Sequence, residues 1–472
     1  MIARHTLTYV GSRGVAAALN MASLAVFTRL APVEVYGSYL WVLSWALLVY
    51  GATCQWPKFA FFALYDETRA PEQVGTLVRL LMGMLVLAGL VTAGAAAAGL
   101  LAPPMAAAVV AAVLGMAIFE GTLEVARTRL AAASVAASVV ARGVLVLGLG
   151  SLVLARTGDP IDLVLAVALA NALAALPALR SVGPLLRGRG SVAEARRLLA
   201  YGWPLVLSFG LAALAQTLDR LIIGKSIGAQ ELGAYGAIGD FLRQSFVVFG
   251  ESIALSMISI AKRDARDGGM PAARPVLRDA ARALTLVGAF GTVFYLSFDA
   301  VLVSVLLGPE YRGTALELAP ILVAASLCQM FRAYYFGQVI YFARTSHLDA
   351  VASLLLLVVV AGLSLLLIPT HGVMGAAIAV AVGQAVACLA FILGAKGGIR
   401  MPVPVVDIVL IVLCALGTSA ILSGVSRLPG GDGVFGEALQ FALIAVAGAA
   451  AAWHFNIIGI ADGLARRSRR AA

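Results

Sequence analysis

Long apolar runs alternate with short polar breaks along the whole chain. An α-helix needs about 20 apolar residues to cross the hydrocarbon of a bilayer, and it satisfies its own backbone N–H and C=O groups there. Runs of that kind predict helices at residues 14–30, 36–55, 77–101, 105–126, 134–155 and 161–179. Eight more follow at 204–227, 232–261, 283–307, 316–342, 350–368, 372–395, 405–425 and 436–460. The expected fold class is therefore an all-α polytopic membrane protein of about 14 transmembrane helices. Pro103 and Pro104 break the pattern after the third run, and Pro204 falls in a first turn, where proline is tolerated. The N-terminal MIARHTLTYVGSRG has the basic character of a signal peptide. Arg13 and Arg29 bracket the run that follows, and no small-residue cleavage site comes after it, so it is read as a retained first helix.

The polar breaks divide the pattern. The longest in the first half, 180–200, is read as a hinge between two halves. Expected domains are an N-lobe of helices 1–6 over 1–182, a cytoplasmic linker over 183–200 and a C-lobe of helices 7–12 over 201–396. Two further helices and a basic cytoplasmic tail complete the chain over 397–472. Lys58, Asp66, Glu67 and Arg69 are assigned to a polar cytoplasmic link, and 262–282 to a basic link whose latter part is a surface helix.

A weak repeat relates the halves. TRLAPVEVYGSY at 28–39 lines up with GKSIGAQELGAY at 224–235, an offset of 196 residues. Arg29 falls on Lys225, Gly37 on Gly233 and Tyr39 on Tyr235. Six predicted helices separate the copies. Six is even, so both copies share one orientation, which describes a parallel repeat about an axis along the membrane normal. Chance similarity is the competing account, since the identity is low.

Composition strengthens the membrane assignment. The chain has 472 residues, 61% hydrophobic and 12% charged, with mean hydropathy +0.98. A soluble domain is about a quarter charged. The net charge of +10 would suggest nucleic acid in a soluble protein. Here 26 of the 34 Lys and Arg fall on the side of the two termini. Six fall on the far side (Arg29, Arg156, Arg220, Lys225, Arg312 and Arg427), and Arg243 and Arg332 lie at mid-depth. That bias predicts both termini in the cytoplasm and leaves no role for nucleic acid. Cys54, Cys328, Cys388 and Cys414 sit in apolar runs without a CxxC and are read as small buried hydrophobes, with no disulfide or metal site. No Walker loop, HExxH or GxSxG is present, so no nucleotide or other cofactor is expected, and the protein is read as no enzyme. The short far-side loops count against a membrane-embedded polysaccharide polymerase.

The charged residues inside apolar runs are the chemical anomaly, because ionisable groups at membrane depth are costly and usually face a bundle interior. Most of them fall in or beside 201–251: Asp219, Arg220, Lys225, Asp240, Arg243 and Glu251. Asp219 and Arg220 point about 100° apart on a helix, so each is expected to reach a different neighbour. Asp240 and Arg243 are three apart on one face and could pair. Arg332 has no such neighbour on its own helix. Glu120 and Glu124 are four apart, with Arg127 beyond, and read as a helix-end ion pair or as a gate. Arg13, Arg29 and Arg142 lie at helix ends, where snorkelling to headgroups is the simple explanation. Tyr334 and Tyr335 suit aromatic packing or a sugar contact, and His347 and His371 suit the surface.

The stretch YGWPLVLSFGLAALAQTLDRLIIGKSIGAQELGAYGAIGDF (201–241) resembles the polysaccharide-transport branch of the MOP superfamily, the Wzx-type oligosaccharide flippases. The shared features are the Tyr-Gly-x-Pro entry (Tyr201, Gly202, Pro204), the Asp-Arg near a helix end (Asp219, Arg220) and a Gly-x-Tyr opening the next helix (Gly233, Tyr235). FTRLAPVEVYGSY, LLGPEYRGTALELAPIL and LIPTHGVMGAAIAVAVGQ agree as well, whereas GATCQWPKFAFFALYDE departs from the family's glycine-rich turn.

The resemblance implies two six-helix lobes plus two C-terminal helices, MATE-like, around a cavity with alternating access. It implies flipping of undecaprenyl-pyrophosphate-linked oligosaccharide across the bacterial inner membrane for O-antigen, capsule or exopolysaccharide. Membrane lipids and the polysaccharide polymerase and chain-length machinery are the implied partners. Within that frame Arg332, Arg243, Arg220 and Arg29 are candidates for the pyrophosphate, because arginine binds phosphate by charge-assisted, bidentate hydrogen bonds. Asp240, Glu251, Glu124 and Asp219 are candidates for coupling or gating. A MATE-like multidrug exporter is the alternative; it would want an acidic, aromatic cavity, against which the intramembrane arginines argue. A membrane-embedded polymerase and a non-transporting scaffold are the others.

Overall fold

Helix is the only regular structure that the described residues form, as a chain of this hydropathy requires. The computed structural model describes residues 2–342, 347–394, 400–426 and 433–457. Arg344, Lys396, Arg427 and the basic tail, all part of the charge bias, lie outside the described residues, as does the His347 side chain. In chain order the helices are α1 (Ile2–Leu30), α2 (Val33–Thr53), α3 (Gln55–Leu64), α4 (Ala70–Ala97), α5 (Pro103–Thr128), α6 (Ala132–Arg156), α7 (Pro160–Ala174) and α8 (Leu176–Val182). Then come α9 (Val192–Ser226), α10 (Ala229–Ser297), α11 (Asp299–Leu306), α12 (Arg312–Tyr334), α13 (His347–Leu393), α14 (Val405–Ser426) and α15 (Val434–His454). Eleven of the helical stretches among the described residues are long and apolar enough to cross a membrane. Two of these run through a pair of predicted helices, and α1 stands outside the eleven. Counted separately, these give the expected number. The chain is a multi-pass membrane protein.

The breaks follow local chemistry. α10 carries non-helical backbone at Gly268 and Gly269, and α13 at Gly372, where φ is +57°. A left-handed residue costs glycine nothing, so the helix axis can turn there. Four boundaries differ from the pattern read in the sequence. The apolar run 36–55 does not open into a polar link: α3 continues it after a single residue, Cys54. Lys58 is therefore a buried helical residue, 7% exposed, and not a cytoplasmic loop residue. The run 161–179 is cut at Ala175, with Pro177 in the first turn of α8. The run 283–307 is cut at Phe298, between α10 and α11, and Asp299 opens the second piece. The run 316–342 leaves the α-helix at Tyr334 and closes in a 3-10 turn, Phe336–Tyr341. Cys414 is exposed on α14, so only three of the four cysteines are withdrawn from the surface.

The described residues form two compact units. The first comprises Met1–Phe241, Ser304–Ala315 and Leu356–Val380. Its core joins Phe61 of α3, Leu77 of α4, Leu123 of α5 and Val182 of α8. A second cluster of Trp56, Ala60 and Leu198 holds α3 against α9. The stretch 180–200, read as a hinge by composition, makes several contacts within this unit. Ser191 caps α9 by accepting from the Glu194 N–H at 3.2 Å. Glu194, 1% exposed, accepts from Gln73 Nε2 at 2.9 Å and pairs with Arg69 at 2.9 Å. Gln73 in turn accepts from the Asp66 N–H and donates to the Leu64 carbonyl.

The second unit comprises Leu242–Val303, Leu316–Leu355 and the described part of Ala381–Ala472. Phe290, Phe298, Leu422 and Ile444 form one of its cores, so the later half of α10 packs with α14 and α15. Arg282 of α10 anchors this packing. It reaches Asp407 in the first turn of α14 at 2.6 Å and Asp279 on its own helix at 2.9 Å.

Candidate functional site

In the first unit the charges of α9 and the opening of α10 interlock. α9 and α10 are adjacent in sequence with only Ile227 and Gly228 between them, so they run back along each other. Arg220 donates to both oxygens of Asp240, at 2.6 and 3.3 Å, a bidentate pair. Tyr235 Oη donates to Asp219 at 2.5 Å. Asp219 and Arg220 are 7% and 8% exposed. Adjacent helical residues diverge by about 100°, which is why each takes its own partner across the turn. The carboxylate of Asp240 thus answers the neighbouring helix, a contact that i, i+3 spacing within α10 does not reveal.

Arg29 has a different setting. It is exposed at the end of α1 and donates to three carbonyls: Ala25 at 2.7 Å, Ser304 at 3.2 Å and Val305 at 2.5 Å. The last two are orphan acceptors at the C-terminus of α11, where a cation is favourable. Arg312 supports the same helix end through the Ser304 carbonyl at 2.9 Å. Thr28 Oγ1 accepts from the Gly308 N–H, and Tyr311 Oη donates to the Ala31 carbonyl at 3.0 Å. Two of the quoted motif segments, 27–39 and 306–322, therefore dock on each other.

The repeat acquires a geometric meaning in the same unit. A methyl group on Gly37 would overlap the Ala229 carbonyl oxygen, and one on Gly233 would overlap the Val33 carbonyl oxygen. Val33 and Ala229 are 196 residues apart, as are Gly37 and Gly233. The two contacts are thus one contact seen from either copy, as a two-fold axis between α2 and α10 produces. Leu40 lies against Gly236, its own counterpart at the same offset.

Glu124 pairs weakly with Arg127 on its own helix at 3.5 Å. Glu120 binds Lys58 at 3.0 Å. Arg142 donates from Nε to Asn171 at 2.7 Å and lies 5.3 Å from the Phe119 ring. Lys58 and Asn171 are buried polar residues that sequence reasoning missed as partners. An amide or ammonium inside an apolar run was the available signal.

In the second unit Arg332 sits half-buried in the last turn of α12 and donates from Nε to Gln384 Oε1 of α13 at 2.8 Å. Gln384 is 7% exposed and is the final residue of the quoted LIPTHGVMGAAIAVAVGQ. Met330 and Tyr334 flank Arg332 and take the opposite face, where they meet Gly250 of α10. A two-residue step rotates a side chain about 160° away, so Arg332 leaves that face for α13. Arg243 lies seven residues before Gly250, hence on the α12-facing side of α10, and Glu251 adjoins the contact. Tyr335, 1% exposed, donates to the Pro402 carbonyl, so it packs structurally. His371 is exposed. No group of three or more metal-ligating side chains forms among the described residues.

The structure thus pairs Arg220 with Asp240 and Asp219 with Tyr235 between α9 and α10, and sets Arg29, Glu124 and Arg332 in other surroundings.

The fold resembles several solved transporters. The lipid II flippase MurJ in an inward closed conformation superposes with TM-score 0.75 at 9% identity, over 96% of this chain and 98% of that one. An inward-facing multidrug resistance MATE family transporter of the MOP superfamily gives 0.58 at 12% identity, over 87% of this chain and 96% of that one. A Vibrio cholerae MATE transporter gives 0.52 at 18% identity, over 82% and 93%. No curated protein sequence matches the chain. The family described as polysaccharide biosynthesis protein matches residues 73–316, more than half of the chain. All-helical in its described residues and matched by that family model over more than half of its length, this chain belongs to the polysaccharide biosynthesis protein family.

Proposed function

We propose that the protein flips undecaprenyl-pyrophosphate-linked oligosaccharide units from the cytoplasmic to the periplasmic leaflet of the bacterial inner membrane, for assembly of a surface polysaccharide. The observation that carries this reading is a polysaccharide-biosynthesis family match on a chain whose fold, nearly end to end, resembles a lipid II flippase. The reading takes the repeat about Gly37 and Gly233 as the axis of two lobes, 1–182 and 201–396, joined through 183–200 and followed by two further helices. Both termini are cytoplasmic, from the Lys and Arg bias.

Arginine chemistry suits the cargo. A pyrophosphate carries at least two negative charges, and bringing it into an apolar bundle requires fixed cations with directed donors. Arg332 uses its Nε on Gln384, which fixes the plane of the guanidinium. Arg332 and Arg243 are the proposed phosphate ligands. Arg220 and Arg29 remain in the candidate set, with much of their donor capacity spent on Asp240 and on the end of α11. Asp240, Glu251, Glu124 and Asp219 are the groups proposed to couple or gate the cycle.

Deleting the protein tests the reading. Loss of surface polysaccharide, with lipid-linked repeat units accumulating on the cytoplasmic face, is the expected result. Unchanged polysaccharide with new sensitivity to cationic drugs would replace it with the multidrug-exporter reading. Accumulation of single repeat units already on the outer face would point to a polymerase.

A further inference from the structure

Outside the charged network, the first unit carries an apolar groove with a volume of about 350 Å³. α4 and α5 form its two long walls. They run antiparallel, so Val74 faces Val125 at one end and Leu85 faces Leu114 at the other. Leu179, Val182 and Leu186 close the Val74 end. No charged side chain lines the groove. Its mouth is open along the outer face of the pair, where Val78 is 40% exposed, Met82 61% and Leu114 43%.

Length and charge describe what would lie in it. From Val74 to Leu85 the helix rises about 16 Å at 1.5 Å per residue. One leaflet of hydrocarbon is about 15 Å, half of the bilayer core. The Val74 end coincides with the polar border of α4. There the segment after Leu186 crosses the first turns of α4, with Gly188 against Pro71 and Gly190 against Thr76. Three exposed arginines sit at this end: Arg79, which donates to the Gly190 carbonyl at 2.9 Å, and Arg187 and Arg189 on the crossing segment. Glu72, in the first turn of α4, is engaged with Arg69 and Ser191. The groove therefore runs from a cluster of arginines over a length that matches one leaflet of hydrocarbon.

We propose that this groove binds one anionic glycerophospholipid of the leaflet that borders residues 183–191, with an acyl chain between α4 and α5 and the headgroup phosphate on Arg79, Arg187 and Arg189. Lipid chains already lie in hydrocarbon, so the groove offers packing but no transfer energy from water. Selectivity must then come from the headgroup. Basic clusters at the membrane surface attract anionic lipid in this way. The site needs only a membrane-inserted chain, so it stands apart from the cargo assignment.

The test is native mass spectrometry of the full chain, reconstituted in vesicles of equal phosphatidylglycerol and phosphatidylcholine and then extracted in mild detergent. The wild-type protein is expected to retain one phosphatidylglycerol with at least about threefold preference over phosphatidylcholine. The triple substitution Arg79→Ala, Arg187→Ala, Arg189→Ala should abolish that preference. Val78→Trp, which fills the groove from its exposed side and leaves the arginines in place, should remove the retained lipid. Unchanged phosphatidylglycerol retention in either variant, with monodisperse protein, overturns the proposal. So does displacement of phosphatidylglycerol by a tenfold lower concentration of undecaprenyl phosphate, which would assign the groove to a prenyl chain.

Discussion

The buried Arg220 holds Asp240 by two hydrogen bonds, and its removal is the most informative single change at the residue scale. Arg220→Ala leaves Asp240 without its bidentate partner inside an apolar bundle, and breaking a buried pair costs about 3–5 kcal/mol. Replacing both Arg220 and Asp240 by alanine removes the carboxylate as well. Thermal unfolding in detergent should therefore place the double variant above the single one. The opposite order would mean that Asp240 is independently solvated. Arg332 makes the contrasting case. Its Nε donates to Gln384, and Arg332→Ala is expected to abolish polysaccharide export while protein level and membrane insertion hold. Export that survives would make Arg332 a packing residue. The positions of these charges were legible in the sequence, because charge is conspicuous in an apolar run. Their partners were not. Spacing along α10 suggested Asp240 with Arg243, and the structure adds a pair from Asp240 to Arg220 across a turn.

At the scale of elements, glycine decides how closely helices meet. Gly37 and Gly233 let α2 and α10 approach until backbone touches backbone. Gly37→Val or Gly233→Val forces those backbones apart, and overpacking of this kind costs about 1–3 kcal/mol. Each variant should lower thermal stability by a similar amount, since each breaks the same contact from one copy; a large difference between the two would count against the two-fold. α14 depends on a charge instead. Asp407→Ala removes the acceptor that Arg282 reaches at 2.6 Å, and hydrogen bonds to charged groups contribute about 1.5–3 kcal/mol. Thermal unfolding in detergent should therefore begin at a lower temperature for Asp407→Ala than for the wild type; an unchanged transition would mean that the pair contributes nothing to the packing of α14. Helix existence was read correctly from hydropathy, but helix boundaries were not. The continuation of α2 into α3 and the stop at Phe298 depend on packing that periodicity does not encode.

At the scale of the whole molecule, the charge bias predicts orientation. Reporter fusions at either terminus should behave as cytoplasmic; a periplasmic signal from one alone would overturn the even number of spans, and from both would reverse the orientation. What the sequence determined alone was the class of solvent and the class of structure. Hydrophobic runs of membrane length leave the backbone only intrahelical partners, so an all-helical multi-pass protein follows from the hydropathy pattern. The copy of residues 28–39 at 224–235 was visible too, as a weak similarity. Only the tertiary structure revealed that the copies touch each other reciprocally, that Lys58 is buried against Glu120, and that Arg29 closes the end of α11. The physical reason is one of range. Helix formation in lipid is decided by each segment and its solvent. The destination of a buried charge is decided by whichever helix happens to pass beside it, and that neighbour is set by packing across hundreds of residues.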